Sequence, residues 1–300
     1  MNIIIFGAGA IGSLFGAFLS KNNNVIIIGR KPHISSIKKN ELIIEGKTNL
    51  KVKIKAEESV DGLNFKPDLL ILTVKSFDTE NAIKQAKKII NENTIVLSLQ
   101  NGLDNIDKIK RYISYEKIIA GVTTHGAFIS KPGIIKHTGK GKTILGELNG
   151  KKTKRIVDIV NCFNQSKIDT VFSKDIIKEI WYKAVINSSI NPITTIFKCK
   201  NGYLLKNPVL ENIVDRICKE SSNIAWVNGI QITYKNALEK TKDVIRKTSE
   251  NNSSMLQSLK KDGRIEIESI NGYLVEIGKK YNLETLLNEI LIHSVESLIK

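Results

Sequence analysis

In the first half of the chain, short apolar runs alternate with stretches of helical spacing. "NIIIF" (2–6) reads as a buried strand, 10–21 as a helix and "NVIIIG" (24–29) as a second strand. "DLLILTVK" (68–75) and "TIVLSLQN" (94–101) are further apolar runs, with helical spacing over 78–91 between them. A short helix is expected over 104–113, followed by one strand, "KIIAGVTTHGAFI" (117–129). "ELIIEG" and "LKVKIKA" (41–46, 50–56) predict a short extended pair turned at "KTN". Continuous apolar strands separated by amphipathic helices predict an α/β domain, its mostly parallel sheet covered by helices on both faces. Pieces at 133–139 and 142–148 are expected to close that sheet with antiparallel strands.

From about residue 174 the pattern changes to helix after helix: 174–190, 207–229, 235–249, 253–261, 266–281 and 284–299. The expected breaks are Asn191-Pro192, Asn201-Gly202, Asn207-Pro208 and Asp262-Gly263. The chain therefore reads as an α/β domain over 1–172 followed by an all-α domain over 173–300. No repeat or low-complexity linker is visible.

"FGAGAIGSLFG" places Gly7, Gly9 and Gly12 as G-x-G-x-x-G directly after a strand and at the start of a helix. The first glycine permits a tight turn, the second lets the backbone approach a pyrophosphate, and the third allows close helix–strand packing. In this context the loop Gly7-Ala8-Gly9-Ala10-Ile11-Gly12 predicts a Rossmann-type dinucleotide site. A purely structural glycine turn is the plainer alternative. The second strand ends in Arg30 and Lys31, where an NAD site would usually offer an acid for the ribose. Two cations suit a 2′-phosphate, so NADP(H) is expected.

"WYKAVINSSINPITT" (181–195) sets Lys183, Asn187 and Asn191 four residues apart, on one helix face. A lysine in mid-helix is ordinarily on the solvent side. Here Trp181, Ala184, Val185, Ile186, Ile190 and Ile193 leave little of the circumference polar, so the stripe is expected to face a cleft. An ammonium there could stabilise charge developing on a carbonyl oxygen and then supply a proton. Carboxamides nearby can donate without adding charge. In "ENNSSMLQSLKKDGRIEIES" (250–269), Asn251, Ser254 and Glu266 form a second candidate stretch, although alone Asn-Asn-Ser-Ser reads as a helix N-cap and Glu266 as an ordinary surface acid.

The chain of 300 residues carries a net charge of +16, and 41% of its residues are hydrophobic. That basic balance attracts anions. The lysines are dispersed, however, and the densest run, "NGKKTKR" (149–155), has no interleaved aromatics for base stacking. No nucleic-acid or membrane partner is expected. Cys162, Cys199 and Cys218 form no CxxC pair, which suggests neither a zinc site nor a disulfide framework and fits a reducing, cytoplasmic setting. The histidines show no metal-ligand spacing. His125 is a candidate for the catalytic base of a lactate-type dehydrogenase, but no suitably placed Arg and Asp accompany it, which favours a structural or cofactor-lining role.

The N-terminal "FGAGAIGSLFG", then "TVKS", "LQNG", "GVTTHGA", "WYKAVINSSINPIT" and "SSMLQSLKKDGRIEIESINGYL" follow in an order and spacing that resembles the ketopantoate reductase (2-dehydropantoate 2-reductase) family. The resemblance runs from Met1 to about residue 290. It implies reduction of 2-dehydropantoate to (R)-pantoate by NADPH, a step toward pantothenate and coenzyme A. Lys183 then matches the proton-donating lysine. Asn187, Asn191, Ser254 and Asn201 match substrate-binding positions, and Glu266 matches an acid near both the lysine and the cofactor. Lys75 and Asn101 match residues at the nicotinamide end, Asn101 also reaching substrate. Ala127 matches a backbone contact to cofactor, and Arg30 the 2′-phosphate binder. The expected partner is a small 2-oxo acid, and the protein is expected to be a monomer or homodimer.

Other readings are a paralogue with the same machinery acting on another 2-oxo acid, or a β-hydroxyacid dehydrogenase of the 6-phosphogluconate type. The latter would not be expected to carry the SSMLQ…E segment. A non-catalytic NADP(H)-binding regulator would keep the glycine loop and Arg30 but would not need Lys183 together with Glu266.

Overall fold

A computed structural model describes residues 1–299, and the chain divides into two compact units. The first comprises Met1–Gln100 and Asn105–Ile177, the second Asn101–Asp104 and Lys178–Lys300.

The first unit contains strands β1 (Asn2–Phe6), β2 (Asn24–Ile28), β3 (Leu42–Gly46), β4 (Leu50–Val52), β5 (Lys55–Glu57), β6 (Leu69–Leu72) and β7 (Ile95–Ser98). They are followed by β8 (Ile118–Thr123), β9 (Gly126–Lys131), β10 (Ile134–Gly139), β11 (Thr143–Glu147) and β12 (Thr170–Phe172). Interleaved are α1 (Ala10–Leu19), α2 (His33–Asn40), α3 (Thr79–Ala86), α4 (Asn105–Lys110) and α5 (Lys154–Gln165). Eight strands pair in the order β12-β11-β8-β7-β6-β1-β2-β5, parallel except where β11 meets β8. Alternate residues of β1 feed two cores, as the two-residue period of a strand requires. Ile3 and Ile5 pack with Leu14 and Phe15 of α1 and Phe163 of α5, while Ile4 and Phe6 pack with Ile83 of α3 and Ile109 of α4.

Three strand expectations need correction. The run 117–129 is not one strand, because pairing in the main sheet stops at Thr123 and resumes in a second sheet at Gly126. The piece 133–139 does not close the main sheet either. It forms β10, and the second sheet runs β4-β3-β10-β9. The reason lies in α1, "AIGSLFGAFL", in which every residue from Gly12 to Leu19 is buried. A helix apolar on all sides needs cover on all sides. The main sheet supplies one face, and Leu42, Ile44, Ile135, Ala127 and Ile129 of the second sheet supply another. The pair β3–β4 turned near Lys47–Asn49 is present, but the run 50–56 is divided, its end forming β5 beside β2 in the main sheet.

The second unit is helical: α6 (Ile176–Ile196), α7 (Tyr203–Lys206), α8 (Pro208–Val227), α9 (Tyr234–Lys247), α10 (Ser254–Lys261), α11 (Tyr273–Lys280) and α12 (Leu286–Glu296). One wide π turn, Glu268–Gly272, leads directly into α11. Its core joins Ile190 and Ile193 of α6 to Leu210, Val214 and Ile217 of α8, Ile245 of α9 and Leu291 of α12. The partition departs from a single cut after residue 172 for local reasons. Ser173 donates its N–H to Leu145 O at 2.8 Å, which keeps the segment after β12 with the sheet. Leu103 N–H donates to Ser269 O at 2.9 Å, and Ser269 Oγ to Asp104 Oδ2 at 2.9 Å, which draws 101–104 into the helical unit.

The break expected at Asn191-Pro192 is also corrected, since α6 runs through Pro192 to Ile196. A proline inside a helix removes one N–H, the partner of the carbonyl four residues earlier. That carbonyl, of Ser188, accepts a hydrogen bond from Asn271 Nδ2 at 3.3 Å instead. Nearby hydroxyls fold back onto the helix as well: Ser189 onto Val185 O at 2.9 Å and Thr195 onto Asn191 O at 2.7 Å. No helix among the described residues is long and apolar enough to cross a membrane. The same residues hold no His/Cys/Asp/Glu group suited to a metal ion.

Where the chain passes from β8 to β9, His125 stacks on His137 with ring centroids 5.4 Å apart. His137 Nε2 lies 2.9 Å from Gly139 O, which can only accept, so this nitrogen carries a proton. His125 Nδ1, 3.2 Å from the same nitrogen, must then be unprotonated. Burial, followed by the neighbouring His137, lowers the His125 pKa from 6.5 to about 4. The unfolded chain therefore takes up this proton first. The contribution of a neutral His125 to stability is complete above about pH 6.5 and is lost as pH falls from 6.5 toward 4. Denaturant titrations should show the wild type losing more stability between pH 7 and 4.5 than His125→Asn, which keeps an acceptor near Nδ1. Equal losses would refute the assignment.

Candidate active site

The glycine loop connects β1 to α1, and each glycine meets a different constraint. Gly7 has φ +117°, a backbone region L side chains rarely adopt, and a Cβ there would lie 2.5 Å from Val74 N. A Cβ on Gly12 would lie 2.1 Å from Gly7 O. These two are required by the protein's own packing. At Gly9 a Cβ would meet nothing closer than Gly7 O at 4.0 Å, so internal packing does not demand glycine. What its missing side chain leaves open is the approach to the backbone from outside. The N–H groups of Ala10, Ile11 and Gly12 belong to the first turn of α1, where no helical carbonyl is in reach. No acidic side chain occupies that turn and no side chain caps it. An open backbone at a positively polarised helix end fits a pyrophosphate.

Neighbouring loops hold this one in place. Thr73 Oγ1 donates to Gly7 O at 2.8 Å. Gln100 Nε2 donates to Val74 O at 3.0 Å and Lys108 Nζ to Ser76 O at 3.0 Å, fixing the segment on either side of Lys75. Lys75 itself is half-buried, just before a short 3₁₀ turn, Ser76–Asp78. Arg30 follows β2, is largely exposed and pairs with Asp78 at 2.7 Å. An exposed pair of this kind contributes little to stability, about 0–1 kcal/mol, so the guanidinium can be drawn to a stronger anion. The glycine loop, the 73–78 segment and Arg30 are thus brought together. Ala127 lies in the second sheet, opposite His137, against the core around α1.

In the helical unit, Lys183, Asn187 and Asn191 occupy one strip of α6. The first two are half-buried and Asn191 is buried, while Trp181, Ala184, Val185, Ile190 and Ile193 around them are buried. The strip is therefore not an ordinary solvent face. Past the end of α6, Asn201 is buried, with its N–H on Asn251 O at 3.0 Å and its Nδ2 on Thr248 Oγ1 at 2.9 Å. Ser254 is the exposed first residue of α10, and its neighbour Ser253 provides the cap. Thr194 Oγ1 donates to Ser253 Oγ at 2.7 Å, which ties the end of α6 to the start of α10. Asn191, Asn201 and Ser254 are in this way collected by hydrogen bonds between the segments that carry them. Glu266 is 6% exposed and precedes the π turn by two residues, and that turn binds the 101–104 segment containing Asn101.

Several supporting residues escaped the sequence reading: Thr73, Asp78, Ser253, Ser269 and Asn271. Each acts through a contact with a segment distant in the chain. Thr73, Ser253, Ser269 and Asn271 lie within quoted motifs, but nothing in the residue order singled out these particular side chains or their partners.

The model for the family "Ketopantoate reductase PanE/ApbA" matches residues 3–150, and that for its C-terminal part matches residues 175–298. The 2-dehydropantoate 2-reductase of Pyrococcus abyssi (strain GE5 / Orsay) is 41% identical, over 97% of this chain and 95% of its own. That of Aquifex aeolicus (strain VF5) is 31% identical over 99% and 96%. Among solved structures, D-mandelate dehydrogenase with NADH and anilino(oxo)acetate superposes with a TM-score of 0.94 at 28% identity, covering 99% of this chain and 98% of that one. A PanE/ApbA family ketopantoate reductase from Ralstonia eutropha JMP134 gives a TM-score of 0.90 at 25% identity, with coverage of 99% and 98%.

The three glycines separate by experiment. Gly7→Ala and Gly12→Ala should each lose at least ~1–3 kcal/mol in denaturant titration, the scale of overpacking. Gly9→Ala should keep nearly wild-type stability and weaken NADPH binding by fluorescence titration. Unchanged NADPH affinity in Gly9→Ala would remove the pyrophosphate from this loop.

Proposed function

The chain belongs to the ketopantoate reductase family, whose two models together span most of its length, and on that premise we propose that it reduces 2-dehydropantoate to (R)-pantoate with NADPH. The observation that carries this reading is the strip Lys183–Asn187–Asn191 on an otherwise buried helix, held beside segments carrying Asn201 and Ser254. Full-length relatives at up to 41% identity with that activity in their names support the substrate.

NADPH, when bound, supplies the hydride. The residues that would hold it are the loop Gly7–Gly12 at the pyrophosphate, Arg30 at the 2′-phosphate, and Lys75, Asn101 and Ala127 toward the nicotinamide. As the substrate's carbonyl carbon gains hydride, negative charge grows on its oxygen. The Lys183 ammonium stabilises that charge and passes its proton to the oxygen, leaving a neutral amine that regains a proton from water. Glu266 is almost wholly buried, and a carboxylate in that position calls for a cationic or hydrogen-bonding partner. In this reading it serves Lys183, keeping the amine protonated. Asn101, Asn187, Asn191, Asn201 and Ser254 orient the substrate with neutral donors and acceptors, so none competes with the lysine for the developing charge. The half-buried setting of Lys183 strengthens its electrostatic effect relative to open water.

Purified protein mixed with NADPH and 2-dehydropantoate should oxidise the cofactor, followed by its absorbance. Lys183→Ala should lose at least ~100-fold in kcat, the scale of general-acid catalysis. A mutant as fast as wild type would remove the assigned acid. Arg30→Ala should raise KM for NADPH at least ~10-fold while leaving KM for NADH nearly unchanged, reflecting a lost charge-assisted contact. Equal effects on the two cofactors would remove the 2′-phosphate assignment.

A further inference from the structure

Within the helical unit, the π turn Glu268–Gly272 reaches two of the segments that carry candidate site residues. Ser269 binds the 101–104 segment through Leu103 N–H and Asp104, as described above. Asn271 binds α6. Its Nδ2 donates to Ser188 O at 3.3 Å and to Asn288 Oδ1 at 2.8 Å.

The direction of this amide is dictated by its surroundings. Asn288 Nδ2 donates to Glu220 Oε1 at 2.7 Å, and Glu220 also accepts from Leu287 N–H and Asn288 N–H at 3.0 and 2.9 Å. Asn288 therefore turns its oxygen toward Asn271. Ser188 O is a carbonyl and can only accept. Both neighbours demand the donor end of Asn271. The other end, Asn271 Oδ1, is buried without a hydrogen-bond partner, and the residue is 0% exposed. A buried unpaired amide oxygen is unfavourable. The useful end of this side chain is therefore its NH₂ group, whose loss would leave Ser188 O and Asn288 Oδ1 without this donor.

The Ser188 carbonyl is the one that Pro192 deprives of its helical donor. Ser188 also lies next to Asn187, and Asn191 immediately precedes the proline. Left without a donor, this part of α6 would open at the residues that carry the carboxamide strip. We propose that Asn271 is a positioning residue for the reaction proposed above: its carboxamide replaces the N–H missing at Pro192 and fixes the Lys183–Asn187–Asn191 face to the turn that follows Glu266. The inference rests on that functional reading, and the pair Pro192–Asn271 makes a specific prediction. A proline that breaks the ladder and an amide that mends it are interdependent, so restoring the backbone donor should make the amide dispensable.

The test is kinetic, in two backgrounds. Asn271→Leu removes the donor at similar volume. It should lower kcat by about 10- to 100-fold, as small misplacements of reacting groups do, and raise KM for 2-dehydropantoate. The dissociation constant for NADPH, titrated directly, should change by less than about twofold, since the glycine loop does not depend on this contact. Pro192→Ala returns an N–H to Ser188 O. In that background Asn271→Leu should cost at least about fivefold less in kcat, the non-additivity expected of coupled sites. Equal losses in the two backgrounds, or wild-type rates for Asn271→Leu, would overturn the proposal. Should the leucine variant not fold, Asn271→Ser, too short to reach Ser188, carries the same comparison. Wild-type protein silent toward 2-dehydropantoate would instead defeat the functional reading, and amide hydrogen exchange then decides. Faster exchange in α6 beyond Ser188 in Asn271→Leu, reversed by Pro192→Ala, supports the strut, and unchanged exchange overturns it.

Discussion

One helix has to be buried along most of its length and still present a cation and two amides. α6 meets that demand by packing Trp181, Val185, Ile190 and Ile193 inward while Lys183 and Asn187 stay half-buried. A lysine fully inside would lose its charge to desolvation, and one fully outside would act through water of high dielectric. For the reaction proposed above, the intermediate setting of Lys183 suits a group that has to carry charge and act through a medium of lowered dielectric. Much of the helical unit can be read as the support this one strip requires. Thr194 and Ser253 anchor the far end of α6, the π turn and Asn271 hold its middle, and α8 with α12 closes its apolar side.

Support of this kind is polar and buried, and so it is tightly specified. A hydrogen bond in a dry interior is worth having only if both partners are satisfied. The chain Asn271–Asn288–Glu220 shows how each amide is oriented by the next, down to a carboxylate that accepts from two backbone N–H groups. The proline in α6 makes sense in that setting. It frees a carbonyl that tertiary structure can use, and it thereby converts a local helix bond into a link between distant segments.

The first unit solves a different problem. Its opening helix is apolar on every side, which a single sheet cannot cover. The second sheet, drawn from β3, β4, β9 and β10, provides the remaining cover. With α1 clamped, its N-terminus and the glycine loop become a rigid feature. Gly7 and Gly12 are there because the protein's own backbone leaves no room, while Gly9 faces open space. The familiar glycine spacing thus divides into two residues that build the loop and one that leaves it accessible.

Much of this was legible in the amino-acid order. Periodicity separated the α/β half from the helical half. The glycine loop, Arg30 at the end of β2 and the four-residue spacing of Lys183, Asn187 and Asn191 were all local patterns, written in consecutive residues. The sequence misled where a local rule was overridden from a distance. Proline at 192 reads as a stop, yet the helix runs through it, and the carbonyl it leaves is taken up by a carboxamide 79 positions later in the chain. The apolar run 117–129 reads as one strand, yet α1 needs its second part in another sheet. Nor could the order of residues reveal that Asp78 pairs with Arg30, or that Ser269 draws residues 101–104 into the helical unit. Short-range spacing determines which faces and turns exist, because the backbone's own geometry repeats every two or 3.6 residues. Which of those faces meet is decided by burial and hydrogen-bond satisfaction across the folded chain, and that information has no fixed spacing to betray it.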